Sequence, residues 1–308
     1  MSHVPQIRDL IMKRRQLMAS VGLTAATAVV VGHKAAANPY RASPPSTWDR
    51  IALTRKLRVG AALLEPWYFK DILHSGAPGS VTVGTDMWRG ICPVLAADLA
   101  RTLEVALEIV ETTWGNAVTG LQVEQYDVMF MLESTPRRAL AVDFLPVPML
   151  WYPLGVLADE SVSIARWSDL NNSRYSLAVA LGSNSDEYVT SVAPRANILR
   201  FRSSAEIIAA FQSGRVNGGV ISAMAADIAR VHIGTGKTIL PMPVLSVPGG
   251  VAVRKEEDNR WKEFLTAFVT RYYNTGKMEE IYNTFLRYRG VSADTAVSLN
   301  RQNWGIKQ

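Results

Sequence analysis

Gly234-Thr235-Gly236-Lys237-Thr238 is the string in this sequence that looks most like a chemical motif, the tail of a phosphate-binding loop. Such a loop needs a glycine at position 231, which is Val231, and a helix after the lysine, which Ile239-Leu240-Pro241 cannot begin. A turn running into a strand is expected there instead. His74, His232 and Cys92 are far apart and form no metal-ligand spacing. Cys92 is the only cysteine and lies in the apolar run Gly90-Ile91-Cys92-Pro93-Val94-Leu95, the setting of a buried structural thiol. Neither a Gly-x-Ser-x-Gly elbow nor a dinucleotide Gly-x-Gly-x-x-Gly fingerprint occurs, so hydrolase and dehydrogenase readings lack support and no cofactor is implied. Arg138 follows Thr135-Pro136, and its planar fork can hold a carboxylate bidentately and stay charged when buried. The bland reading of such an arginine is a surface salt bridge. For Trp67 and Trp114 the ordinary reading is core packing.

The chain has 308 residues, 48% hydrophobic and 19% charged, enough for two modest cores or one large one and unlike disordered or collagenous compositions. Its formal charge of +6 is concentrated at the start. Residues 1–37 hold five of the 33 basic residues (Arg8, Lys13, Arg14, Arg15, Lys34) and one of the 27 acidic ones, Asp9, which leaves 28 against 26 and a body of only +2. A nearly neutral body without clustered Lys or Arg carries no footprint for nucleic acid. Lys13-Arg14-Arg15-Gln16-Leu17-Met18 precedes an apolar run from Val21 to about Val31, which ends at Ala35-Ala36-Ala37. Basic, apolar, then small residues are the layout of a cleavable signal, and the arginine pair resembles the twin-arginine export signal. The run is too short and too diluted by Gly22, Thr24 and Thr27 for a membrane span. No cysteine marks a lipid attachment point. We therefore expect a twin-arginine-like signal peptide over 1–37, periplasmic export, and an extended leader over 38–47 containing Pro39, Pro44 and Pro45.

The elements that must position any site alternate between strand and helix. Strands are expected at 57–61, 105–110 and 127–132, with helices at 93–103 and 117–122. The stretch Asp127 to Leu132 has no polar face, which places it inside a helix-covered parallel sheet. The second half repeats the theme, with strands at 176–180, 197–201 and 218–221 and helices at 185–192, 204–212 and 223–231. Ser203 with Glu206 three residues on marks the start of one of these helices as a capping box. A strand at 249–253 and helices at 259–273 and 277–288 close the pattern. Strands alternating with helices twice over imply two α/β lobes.

At this point an ordered series of short motifs resembles the bacterial extracellular solute-binding proteins of the polar amino-acid type, family 3. It runs through Leu57-Arg58-Val59-Gly60, Pro66-Trp67, Trp88-Arg89-Gly90, Ala97-Asp98-Leu99-Ala100, Trp114, Ser134-Thr135-Pro136-Arg137-Arg138 and Asp143-Phe144. It continues through Leu181-Gly182-Ser183-Asn184-Ser185-Asp186-Glu187, Gly214-Arg215-Val216-Asn217 and Gly249 to Val253, and covers residues about 55 to 288. The resemblance implies an α/β, two-lobed periplasmic-binding-protein-like (type II) fold. Each lobe would be a helix-covered, mostly parallel sheet, joined to the other by two hinge strands. Lobe one would span 48–150 plus 250–288, lobe two 155–245, and residues 289–308 would form a C-terminal tail. The crossings would lie near Trp151-Tyr152-Pro153 and Ser246-Val247-Pro248.

The function implied is capture of a small polar, carboxylate-bearing, amino-acid-like ligand by a monomer, for delivery to the membrane subunits of an ABC transporter. The resemblance makes Arg138 the holder of the ligand carboxylate, with Thr135, Ser134 and Glu133 nearby and Trp114 and Trp67 packing on the ligand. Gly182-Ser183-Asn184-Ser185 would open a helix whose free amides, with the Ser183 and Ser185 hydroxyls, suit an anion. Two departures stand out. Asn217 and Ser222 occupy positions where the family has Asp, and the second of those grips the ligand ammonium. A neutral hydroxyl cannot pair with a buried ammonium as a carboxylate does, so carboxylates without a free α-amino group are expected to bind at least as well as ordinary amino acids. The segment from Asp127 to Arg138 is also one residue short. Two other functions fit the same fold: a cyclohexadienyl dehydratase-like periplasmic enzyme with Glu133 as the acid, and a docking or sensor protein that transports nothing.

Overall fold

The computed structural model describes residues 45–294 and 296–301. The expected signal peptide and most of the leader lie outside the described residues. The first described element is a helix, Thr47–Thr54, capped where Ser46 Oγ accepts from the Asp49 amide at 3.2 Å.

The first lobe is built on a five-stranded sheet of β1 (Lys56–Ala62), β5 (Ala106–Thr112), β6 (Val128–Phe130), β7 (Val142–Phe144) and β14 (Val251–Arg254), in the order β5-β1-β6-β14-β7. β1 runs parallel to β5 and β6, while β14 returns antiparallel to β6 and β7. All three residues of β6 are buried, as a central strand covered on both faces requires. The expected strand 127–132 is cut to three residues because Met131 takes φ +62°, a left-handed turn rare for a side-chain-bearing residue. A small sheet of β2 (Phe69–Lys70), β4 (Asp86–Arg89) and β3 (Val81–Val83), in that order, stands beside it.

The second lobe has a sheet of β10 (Asn197–Phe201), β9 (Ser176–Ala180), β11 (Gly218–Ser222), β8 (Leu150–Ala158) and β12 (Lys237–Ile239), in that order. β9 is parallel to β10 and β11, and β8 is antiparallel to β11 and β12. The helix Ser204–Gln212 begins where the capping serine predicts, since Ser203 Oγ accepts from the Glu206 amide at 3.2 Å. Its Ile207 lies so close to β11 that a Cβ on Gly219 would come within 2.8 Å of it, so only glycine lets helix and strand approach this far. The Gly234–Thr238 string is a helix C-terminal glycine followed by β12, the expected turn into a strand.

Two strands join the lobes. β13 (Ser246–Gly249) pairs antiparallel with the first half of β8, in the register Ser246↔Pro153, Val247↔Tyr152, Pro248↔Trp151 and Gly249↔Leu150, and the second half of β8 enters the lobe-two sheet. The single strand expected over 249–253 is thus two strands, broken at Gly250. There a Cβ would sit 2.3 Å from the Leu132 carbonyl.

Buried charges are paired. Arg89 and Asp71 are each 1% exposed. Arg89 Nε donates to Asp71 Oδ2 at 2.7 Å, and its remaining donors reach the Ala77, Pro78 and Ser75 carbonyls at 2.7–2.9 Å while the guanidinium lies over the Tyr288 ring at 4.2 Å. Asp127 is shared by Arg50 and Arg58. Cys92 is fully buried, and that burial pushes its thiol well above the ordinary range, consistent with a structural role. Beyond the helix Lys277–Tyr288 the chain packs back on the body: Val291 and Leu299 are buried, and the Trp151 amide donates to the Leu299 carbonyl at 3.3 Å. No helix among the described residues is long and apolar enough to cross a membrane.

Candidate functional site

A cavity of about 40 Å³ lies where the lobes face each other. One water needs roughly 10–15 Å³ by this measure, so the space holds about three waters and the lobes stand nearly closed. Lobe one contributes Trp67, Trp114, Met131 and Glu133, lobe two contributes Ser183, Asn184, Ser185, Ser204 and Ser222, and Tyr152 comes from the linking strand β8. Among the described residues no three His, Cys, Asp or Glu side chains gather as a metal site.

Each element delivers its residue for a local reason. Met131, at φ +62°, turns the chain out of β6 and carries Glu133 to the cavity. Strain of this kind collects at functional sites. Thr113 caps a short 3-10 turn whose first residue is Trp114, and Trp67 packs against Tyr152 with ring centroids 5.4 Å apart. Both tryptophans are mostly buried, at 8% and 2% exposure, so each serves the core and the cavity wall together. In lobe two, Ser183 caps the helix Asn184–Val192 by accepting from the Asp186 amide at 3.2 Å, and its hydroxyl lies 2.9 Å from that of Ser185. First-turn amides of a helix have no carbonyl before them to bond, so this end of the helix offers donors and a positive dipole to the cavity. Ser222 is the corresponding cap of the helix Ala223–Ile233, with its Oγ accepting from the Ala225 amide at 3.2 Å.

Of the ten residues picked out in the sequence, seven line the cavity: Trp67, Trp114, Glu133, Ser183, Asn184, Ser185 and Ser222. Arg138, Thr135 and Ser134 stand outside the lining. Thr135 caps the helical turn Pro136–Ala139. Arg138 lies behind Glu133, 7% exposed, and its fork is already engaged. Nη1 donates to the Glu133 carbonyl at 3.0 Å and to Glu133 Oε2 at 3.2 Å, and Nη2 crosses the cleft to the Gly182 carbonyl at 3.0 Å. The other Glu133 oxygen accepts from the Tyr152 hydroxyl. Burial, then the charge of Glu133, lifts the Tyr152 phenol far above its ordinary value, so it remains a donor at every physiological pH.

Tyr152, Met131 and Ser204 also line the cavity, and no sequence motif marks them. Tyr152 lies at one of the expected crossings, and a linking strand carries no sequence sign that it reaches the site. Ser204 is 3% exposed and its Oγ has no hydrogen-bond partner. The signal that would have found it is a second hydroxyl directly after the capping Ser203.

The lobes touch backbone to backbone beside this cavity. Gly182 has φ +70°, and a Cβ on it would meet the Gly115 Cα at 3.1 Å.

The sequence model of the bacterial extracellular solute-binding proteins, family 3, matches residues 74–288. No curated protein matches the chain. Among solved structures, an ancestral amino-acid-binding protein described as a precursor of cyclohexadienyl dehydratase superposes with a TM-score of 0.67 at 26% identity, over 78% of this chain and 99% of that one. A mutant of ArgBP from T. maritima gives 0.67 at 22% identity, over 79% and 100% of the two chains. The cysteine-binding protein from Campylobacter jejuni gives 0.66 at 21% identity, over 81% and 98%. The last two likenesses speak for the fold alone.

Proposed function

This chain belongs to the bacterial extracellular solute-binding proteins, family 3, and from that premise we propose that it captures a small polar, amino-acid-like ligand between its lobes for an ABC transporter. The observation that carries this reading is the cavity itself, which sits at the lobe junction and is walled by two tryptophans from one lobe and a serine-rich helix start from the other. The ligand carboxylate meets the first-turn amides of the helix Asn184–Val192 with the Ser183 and Ser185 hydroxyls, and its side chain lies between Trp67 and Trp114. Arg138 acts through Glu133, which it orients, and through Gly182, which it ties across the cleft. The similarity to an ancestral amino-acid-binding protein at 26% identity is in keeping with an amino-acid-like ligand.

A thermal-shift screen with amino acids, small carboxylates and polyamines tests the reading. A ligand at about 100 times its dissociation constant adds about 2.7 kcal/mol of stability. Silence across the panel favours a docking or sensor role instead. A second reading, a dehydratase, draws on one observation, that Glu133 is a carboxylate lining the cavity. Turnover of a cyclic hydroxy acid that Glu133→Gln abolishes would establish it.

We further propose that residues 1–37 are a cleaved twin-arginine-type signal and that the mature monomer starts near Asn38. N-terminal sequencing of periplasmic protein checks the cut, and export unaffected by Arg14→Lys with Arg15→Lys would point to the general secretory route.

A further inference from the structure

Among the described residues that line the cavity, Glu133 is the only carboxylate and no lysine or arginine is present. Each carboxylate oxygen can accept two hydrogen bonds. Oε1 accepts one from Tyr152 and Oε2 one from Arg138, which leaves an acceptor site on each oxygen. The pair Glu133 and Arg138 is close to neutral as a unit, so the cavity offers one carboxylate face and no second anionic group for a charged side chain. Ser204 reaches the same cavity from the opposite lobe, and its buried hydroxyl has no partner in the protein. Native structures seldom leave such a group unpaired, so it calls for an external partner. Ser222 adds only a neutral hydroxyl that is already committed to capping a helix.

We infer that Glu133 receives the ligand's ammonium group, that Ser204 Oγ is a second polar contact from the other lobe, and that the site selects small zwitterionic amino acids with uncharged side chains. The inference rests on the reading of the cleft as the ligand site. It reverses the expectation drawn from Ser222, because the anion that grips the ammonium stands on lobe one rather than at the end of β11. A ligand with a cationic side chain would carry a second ammonium or guanidinium into a cavity that has no second carboxylate. Burying such an unpaired charge is strongly disfavoured.

Calorimetry with glycine, alanine, serine, arginine and propionate (the desamino partner of alanine), on the wild type and on Glu133→Gln, Ser204→Ala and Trp114→Ala, tests this. The wild type should bind at least one small neutral amino acid more tightly than arginine and more tightly than propionate. Removing one partner of a desolvated, hydrogen-bonded charge should weaken that ligand at least about thirtyfold in Glu133→Gln, while propionate binding changes less than about threefold. Ser204→Ala should cost roughly three- to tenfold. Asp caps helices as well as Ser does, so adding Ser222→Asp to Glu133→Gln keeps the fold and should restore at least part of the loss. The inference is overturned if Glu133→Gln holds the amino acid within threefold of wild type while Trp114→Ala abolishes binding, an outcome that leaves the cleft as the ligand site. If Trp114→Ala has no effect, the cleft reading itself fails. Preference for arginine, or no binding of any panel member by the wild type, also overturns the inference.

Discussion

Replacing Arg138 with alanine separates two jobs that its three hydrogen bonds perform. Two of them, to the Glu133 carbonyl and to Glu133 Oε2, stay within lobe one. Only the 3.0 Å bond from Nη2 to the Gly182 carbonyl joins the lobes, so only it distinguishes the closed from the open form. A hydrogen bond to a charged group contributes about 1.5–3 kcal/mol net. At about 1.4 kcal/mol per tenfold, its loss biases the cleft open by roughly ten- to a hundredfold, and on the proposed reading, in which Arg138 acts through Glu133 and Gly182, apparent ligand affinity falls by the same factor. Both Arg138 and Glu133 are largely buried, at 8% and 15% side-chain exposure, so solvent screening excuses little of the effect. Separately, the Glu133 carboxylate left with one donor should lower unfolding stability by about 1–3 kcal/mol. Arg138→Lys should recover only part of each, since one ammonium cannot reach Glu133 and Gly182 with the same two-pronged geometry. Calorimetry gives the affinity, and small-angle scattering gives the closed fraction as a smaller radius of gyration. If Arg138→Ala binds the ligand within threefold of wild type and closes as fully, the reasoning is refuted.

Gly115→Ala should weaken ligand binding, because the new methyl meets the Leu181 carbonyl of the other lobe at 3.2 Å in the nearly closed arrangement; calorimetry reads the loss. Arg89→Met should destabilise the protein by about 3–5 kcal/mol in urea unfolding, since it leaves Asp71 buried without its cation. Hydrogen bonding to Arg260 holds the Asp258 carboxyl well below its ordinary 3.8. The stability this pair contributes is therefore present above about pH 4 and is lost as pH falls through the depressed value. Asp258→Asn should then differ most from wild type near neutral pH, and the gap in urea midpoints should narrow as the medium is acidified below pH 4.

The framework was legible because its signals are local. Ser203 with Glu206 marked a helix start to the residue, the strands at 176–180 and 197–201 have the bounds their apolar runs suggested, and Gly276 separates the last two helices where expected. The small sheet β2-β4-β3 went unseen, since strands of two to four residues are too short to display a period. Much of the cavity wall was also legible, through the tryptophans and the Gly182–Ser185 turn. The placement of Glu133 ahead of Arg138 was not. It depends on Met131 adopting a left-handed backbone, which no turn residue announces, and on Tyr152 arriving from a linking strand 19 residues later. Both are consequences of tertiary packing rather than of spacing.

Tyr152 links the hinge to the cavity. It pairs with Val247 across the two strands that join the lobes, and the same residue donates its hydroxyl to Glu133. Bending those strands therefore displaces the ring that braces the cavity's carboxylate. In mechanical terms the hinge and the grip share one rigid lever, an aromatic ring with only two torsions. Opening the lobes would draw Tyr152 away from Glu133 and, on the proposed reading, loosen the hold on a bound ligand in the same stroke.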